Sequence, residues 1–567
     1  MKFEELLLDA GGFGRFQVFT LLLLAIPRTT IPLHFLLNNF LAVVPPHRCA
    51  LPDLEGFGNL TEEELLLISI PREPDGTFSS CRMYGEPQWH LLENYTWGPP
   101  NNSTWRPSKN STWETPGAST CGPPNAFTVQ SCQHGWTYDH SQFTSTIATQ
   151  WDLVCEKKWL NKASSTFFFI GVTVGAIFIG YLSDRYGRRT MLLVCCVFTL
   201  LFEMAAAVSV NYLMFAIFRS LSGMSLSGFP IIIPALGVEW VDMKHNTLAG
   251  FLGNVWGCIG IMLLSLVAYL IRDWRWLLIA VTCPYILAII SIWWLPESAR
   301  WLLTKGKMQE AHDLLVRCSS MNGQAQLPPS INTEVLGKIA EEEHTDTHYS
   351  YFDLFRNPVL RKISICTGIV WFCMSFTYYG ISLNISGFGV DMYLTQFIYG
   401  AIEMPFILSI YILMDKYGRR RSLAWPMLIT GFSLGINVII PVSLGALRTT
   451  VAAVGKGFSV SAGMAAFMCT IELYPTVLRQ NGMGYNIFIS RIGVSVAPLI
   501  LLLDEVWKFL PQVIFSSAAT VCGLAAFCLP ETFNKQLPET VKDTEKARNE
   551  SSNTMGNPQD VVRMQKF

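Results

Sequence analysis

Arg491 stands midway along an apolar run, Phe488-Ile-Ser-Arg-Ile-Gly-Val-Ser495. A charge at the bilayer centre costs about 2.5–3.5 kcal/mol or more, so one that is kept there is a functional candidate. Arginine holds its proton at every practical pH, and its planar donor fork fits carboxylates and phosphates. Facing a water-filled cavity, Arg491 would be a permanent counter-charge for an anion. The alternative is a structural ion pair with Glu403 or Glu472. Arg28 lies in the otherwise neutral stretch Leu24-Ala-Ile-Pro-Arg-Thr-Thr-Ile-Pro-Leu33, where two prolines loosen a helix. His34 and Asn38 are four apart on one face, with Asn39 beside them. A cavity role for His34 competes with a satisfied packing role. Lys456, between Gly455 and Gly457, reads either as a second anion contact or as the partner of a buried acid. Trp371, Ser375 and Tyr378 follow i, i+4, i+7 spacing with Tyr379 adjacent, so one helix face offers rings to apolar bodies and hydroxyls to polar groups. Trp256, Phe467 and Phe488 are further aromatic candidates. Ordinary core packing is the competing reading for all these rings.

The elements that must position these residues are membrane helices. Half of the 567 residues are hydrophobic and 15% are charged, against roughly 25% charged in an ordinary soluble domain. The net charge of −1 implies no attraction to nucleic acid. Twelve apolar runs have the length of a bilayer span: 17–43, 163–182, 191–209, 212–236, 247–270, 276–295, 361–383, 393–413, 422–442, 449–471, 480–503 and 511–529. The chain also repeats itself. Asp184-Arg185-Tyr186-Gly187-Arg188-Arg189 returns as Asp415-Lys416-Tyr417-Gly418-Arg419-Arg420, Glu239 as Glu472, and Glu297 as Glu531, at offsets of 231, 233 and 234 residues. Parallel repeats of this kind build transporters with a midplane site between the halves. The expected fold is therefore an all-α membrane protein with twelve transmembrane helices in two pseudo-symmetric six-helix bundles, 17–295 and 361–529.

Lys and Arg crowd the loops at 183–190 and 415–421 and the linker 296–360, which places these on the cytoplasmic side. The N-terminal segment 1–16 and the tail 530–567 then lie there too, and no removable signal peptide is read at the start. The loop 44–162 becomes extracellular. It holds acceptor sequons at Asn59, Asn94, Asn101, Asn102 and Asn110, and Cys49, Cys81, Cys121, Cys132 and Cys155, whose pairing the spacing does not give. The repeated charges at the cytoplasmic end (Asp184, Arg185, Arg188, Arg189, Glu239 and Glu297; Asp415, Arg419, Arg420, Glu472 and Glu531) could lock the halves together there and release them as the cavity opens. Topology anchoring is the simpler reading. Arg219 reads as structural. No Walker loop, metal-ligand cluster or nucleophile elbow occurs, so neither an enzyme nor a cofactor is expected.

The paired Asp-x-Tyr-Gly-Arg-Arg boxes resemble those of the major facilitator superfamily, and Pro296-Glu-Ser-Ala-Arg-Trp301 with Pro530-Glu-Thr532 those of its sugar-transporter-like branch. Trp151-Asp-Leu-Val-Cys155, Ser145-Thr-Ile147 and Glu472-Leu-Tyr-Pro-Thr-Val-Leu-Arg-Gln480 are similar to the organic ion transporter family, in its anion branch. The resemblance implies a polyspecific plasma-membrane carrier of organic anions, basolateral where the cell is epithelial, working by alternating access as facilitated diffusion or exchange. The implied passengers are carboxylates, nucleotide or nucleobase derivatives, prostanoids and drugs, with a counter-anion and membrane lipid as further partners. A carrier of organic cations or zwitterions is the alternative within the same fold. The anion carriers place Arg at the position of Arg491, and the cation carriers Asp. They also carry a helix-eight lysine where this chain has Ile407, so Arg28 is expected to replace part of that lost charge.

Overall fold

The computed structural model describes residues 6–8, 11–51, 60–73, 76–93, 128–242, 245–323, 335–337, 351–385, 391–441, 443–475 and 478–533. Among these residues, twelve helices are long and apolar enough to cross a membrane: α1 (Arg15–Leu41), α2 (Cys155–Tyr186), α3 (Arg188–Ala207), α4 (Tyr212–Glu239), α5 (Leu248–Leu270), α6 (Trp274–Ile292), α7 (Pro358–Leu383), α8 (Met392–Tyr417), α9 (Arg419–Ile439), α10 (Gly445–Leu473), α11 (Arg479–Glu505) and α12 (Leu510–Phe527). The protein is a multi-pass membrane protein. The helices match the twelve apolar runs, but α2 extends well beyond 163–182 at both ends. Its polar termini, which include Lys158, Lys162, Asp184 and Arg185, are helical without being apolar, so a hydropathy reading trims them.

The chain forms two compact units, Met1–Ala42 with Trp159–Phe567, and Val43–Lys158. In the helical unit each six-helix half has its own core. Phe168 and Phe169 of α2, Phe229 and Leu236 of α4 and Tyr285 of α6 belong to one. Trp371 and Met374 of α7, Ile410 of α8, Met427 of α9, Cys469 of α10 and Cys522 of α12 belong to the other.

The repeated box has a backbone reason. Gly187 and Gly418 turn α2 into α3 and α8 into α9 at φ of 102° and 86°, a region that L side chains rarely adopt. A Cβ there would lie 2.5 Å from Glu297 and 2.8 Å from Glu531. With the glycines in place, the amides of Arg188 and Arg189 donate to Glu297 at 2.9 and 3.0 Å, and that of Arg419 donates to Glu531 at 2.9 Å. Each Pro-Glu-Ser/Thr carboxylate thus caps a helix N-terminus, where orphan amides and the helix dipole favour negative charge.

α1 stays helical from Arg15 to Phe35 through Pro27 and Pro32, breaks at Leu36, and resumes at Asn38–Leu41. Pro32 has no N–H for the carbonyl of Arg28, four residues back, so the turn carrying Arg28 is loosened without being broken.

The second unit contains short strands that the apolar pattern did not announce. Strands β1 (His47–Cys49) and β4 (Trp136–Tyr138) pair antiparallel, as do β2 (Arg82–Tyr84) and β3 (Val129–Ser131). Disulfides join Cys49 to Cys132 and Cys81 to Cys155. A small core of Cys49, Leu66, Ile70 and Met83 lies within it. The Tyr138 hydroxyl donates to Asp152 at 2.9 Å, and burial together with that carboxylate pushes the phenol above its ordinary range. Cys121 and the sequons at Asn59, Asn94, Asn101, Asn102 and Asn110 lie outside the described residues.

Candidate functional site

The halves meet firmly at the end away from the charged boxes. Phe40 of α1 stacks on Tyr393 of α8 at 5.5 Å between centroids. The Asn39 amide donates to the Ser382 carbonyl at 2.8 Å and to Gln396 at 3.3 Å, and the Ser265 hydroxyl donates to the Tyr393 carbonyl. Deeper in, the hydroxyls of Thr173 and Ser495 are 3.0 Å apart. Toward the boxes, α5 and α8 keep company as far as Phe251 and Tyr411, whose rings are 6.0 Å apart. No ion pair among the described residues joins the two halves at that end. Phe467 and Phe488 are 39% and 38% exposed there, although they sit on helices of the bundle.

Two guanidiniums border the space between the halves, and neither has a carboxylate partner among the described residues. Arg491 of α11 is half-buried. Its polar neighbour is Tyr379, the Phe35 ring lies 6.0 Å away, and its buried Nε has no hydrogen-bond partner. Arg28 of α1 donates from Nε to the Gly253 carbonyl at 3.2 Å and from a terminal nitrogen to Asn254 at 3.4 Å, both neutral acceptors. Tyr379 is close enough to both arginines to feel their charge. Its ring packs at 5.3 Å from Phe169 and 6.2 Å from Phe35. On α5, side chains built at Gly253 and Gly257 would enter open space, and half-buried Trp256 lies between them. Phe488 is one turn from Arg491. Phe467 is one turn from Met464, whose sulfur accepts from Asn254 at 3.4 Å. These contacts bring two positive charges, neutral polar groups and several aromatic rings together where the halves face each other, a place called the cleft below.

Several candidates are engaged elsewhere. Lys456 is fully buried and pairs with Glu403 at 3.0 Å, so it is the partner of an acid and makes no contact with the cleft. Glu403 also accepts from the Tyr378 hydroxyl at 2.9 Å and lies 3.7 Å from the Cys258 thiol. Glu472 is bonded to Arg419 at 3.2 Å and to the Thr532 hydroxyl. Both acids that competed for Arg491 are thus satisfied without it. His34 is not in the cavity. It is fully buried 3.2 Å from Glu203, which also binds Arg219 at 2.5 Å and the Ser222 hydroxyl at 2.6 Å. Trp371 donates to Thr470 at 2.9 Å inside the second core, and Ser375 shares a 2.7 Å bond with Ser490. Their helical face is turned into the half rather than toward the cleft. Asn39 joins the two halves, as described.

Among the described residues, the repeated charges pair within their own half. Arg188 pairs with Asp184 at 2.9 Å and with Glu239 at 3.4 Å. Arg419 pairs with Asp415 at 3.1 Å and with Glu472. Arg189 donates to the carbonyls of Ile292 and Trp293, and the Arg420 amide to Glu531. Arg185 lies over the Tyr186 ring. Each set ties together the helix ends of its own half. The residue that sequence reading missed is Glu203. Its signal was present, since it is a carboxylate inside the apolar run 191–209.

The sequence profile of the sugar (and other) transporter family matches residues 120–543. Solute carrier family 22 member 7 of Bos taurus is 47% identical over 554 residues, covering 97% of this chain and 98% of that protein. This chain belongs to solute carrier family 22. The human member 7 is 48% identical over 549 residues, covering 96% of each. Member 6 of Danio rerio is 36% identical over 545 residues, covering 96% of this chain and 94% of that protein. An inward-open structure of the xylose transporter XylE from E. coli superposes with a TM-score of 0.56 at 19% identity, over 71% of this chain and 93% of that one. A partially occluded inward-open form gives 0.53 at 18% identity, over 67% and 90%. These structures share the major facilitator fold. As a family 22 member, the chain is a transporter and not an enzyme.

Proposed function

We propose that this chain is a polyspecific carrier of organic anions in the plasma membrane, with Arg491 as the counter-charge that selects them. The supporting observation is the two half-buried guanidiniums at the space between the halves, neither with a carboxylate partner among the described residues, while Glu403 is neutralised by Lys456. A cation carrier would need a free acid in that place. Tyr379, Phe35, Phe467, Phe488 and Trp256 supply faces that accept apolar bodies of varied shape, which suits aromatic carboxylates, nucleobase derivatives, prostanoids and drugs. The Arg-rich boxes at one end support a cytoplasmic assignment for that end and for both termini. The halves then meet on the extracellular side, and alternating access separates them there as the box end closes. On this topology residues 44–162, with their sequons, face outward.

The deciding experiment is labelled uptake of a small aromatic carboxylate against a quaternary ammonium in cells expressing the protein. Carboxylate uptake alone supports the proposal, ammonium uptake alone supports the cation reading, and uptake of neither rejects both. Preloading cells with a dicarboxylate separates exchange from facilitated diffusion, since only exchange is accelerated. Arg28 provides a further test. Arg28→Ala removes one charge-assisted contact without stranding an acid, so the KM for a carboxylate should rise about five- to tenfold at normal surface density. An unchanged KM would exclude Arg28 from the site.

A further inference from the structure

We infer that the buried Lys456–Glu403 pair is the specificity element that sets how many negative charges a passenger can carry. This rests on the anion-carrier reading above. The pair joins α10 to α8 at 3.0 Å, and neither member is accessible to a passenger. Its surroundings lead straight to the cleft. Glu403 receives the Tyr378 hydroxyl, and the Tyr378 ring packs edge-on at 5.3 Å against Tyr379, the residue that feels Arg491, Glu403 and Arg28 together. From the other half, Cys258 of α5 reaches Glu403 at 3.7 Å. The Lys456 ammonium is held over the rings of Tyr399 at 4.7 Å and Tyr378 at 5.3 Å. These neighbours are neutral, so the local charge count is simple. Arg28 and Arg491 contribute two positive charges, and the pair contributes none only while both of its members are present.

In a water-poor interior a unit charge several ångströms from a ligand still acts on it strongly, and a dianion feels that charge twice as much as a monoanion. Removing the ammonium leaves Glu403, behind Tyr378 and Tyr379, as a net negative charge close to the two arginines. Removing the carboxylate leaves Lys456 as a third positive one. The ratio of dianion to monoanion affinity should move in opposite directions in the two variants. A pair that only fastened α10 to α8 would weaken both substrates alike.

The test compares benzoate with phthalate, which differ by one carboxylate, as the Ki of the phthalate dianion against labelled benzoate uptake divided by the KM of benzoate. Surface density is measured in parallel. Relative to wild type, Lys456→Met should raise this ratio about tenfold, Glu403→Gln should lower it about tenfold, and the double variant should return it to within about threefold. Glutamine keeps an acceptor for Tyr378. If Lys456→Met fails to reach the surface, Glu403→Gln alone decides, because only the inference predicts a gain for phthalate. An unchanged ratio in Glu403→Gln, or shifts of the same sign in both single variants, overturns the inference while leaving anion carriage intact. A wild type that takes up no benzoate overturns the function reading, and this inference falls with it.

Discussion

Arg491→Ala is expected to lower the apparent affinity for an aromatic carboxylate roughly ten- to a hundredfold while leaving the amount of protein at the cell surface within about twofold of wild type. Both halves of that expectation follow from the side chain's surroundings. A charge-assisted hydrogen bond contributes about 1.5–3 kcal/mol, and each 1.4 kcal/mol is a factor of ten. Removing a cation usually strands its acid, but here Glu403 belongs to Lys456 and Glu472 to Arg419, so alanine leaves no orphan carboxylate. Arg491→Lys should recover part of the affinity, since a point charge remains but the planar fork is lost. Concentration-dependent uptake with surface biotinylation reads both quantities. Wild-type affinity in the alanine variant would remove the central support for anion selection.

Glu203→Leu should have the opposite profile, with little folded protein reaching the surface at all. Glu203 and Arg219 are essentially inaccessible, at 0% and 1%, and His34 shares the same carboxylate. Arg219 further lies 4.4 Å over the Phe168 ring and reaches the His34 carbonyl, so the cluster ties α1, α2, α3 and α4 together. Breaking a buried pair from one side costs about 3–5 kcal/mol, because the surviving charge is left in the interior, whereas replacing both partners with apolar groups is often close to neutral. Glu203→Leu combined with Arg219→Met should therefore recover most of the thermal stability that the single change removes, as measured by the melting temperature of detergent-solubilised protein. A single variant with normal yield and melting temperature would show that the cluster is not structural.

These two variants separate roles that look alike in one dimension. Arg491, Arg219, Arg28 and Lys456 are all cations in apolar runs, and nothing in their flanking residues says which has an acid nearby. Hydropathy located the spans because the cost of an unsatisfied backbone in lipid forces twelve long apolar runs into helices. The duplicated boxes were equally legible, because a left-handed glycine and a carboxylate that caps the next helix require particular residues at fixed spacing. What those charges bind was not legible. Glu239 and Glu472 could have met arginines of the opposite half as readily as those of their own. The i, i+4, i+7 spacing puts Trp371, Ser375 and Tyr378 on one helix face, but spacing along one helix cannot say what lies opposite it. Thr470 and Ser490 do, and they come from helices far along the chain.

The order of apolar runs, the repeat and the residue types therefore determined the class of fold, the two halves and the presence of unusual intramembrane charge. Only the tertiary structure decided which of those charges are neutralised in pairs and which have no acid partner among the described residues. The physical reason is that composition and period are local properties of the chain, while the cost of a buried charge depends on whichever group from a distant helix stands within about 4 Å of it.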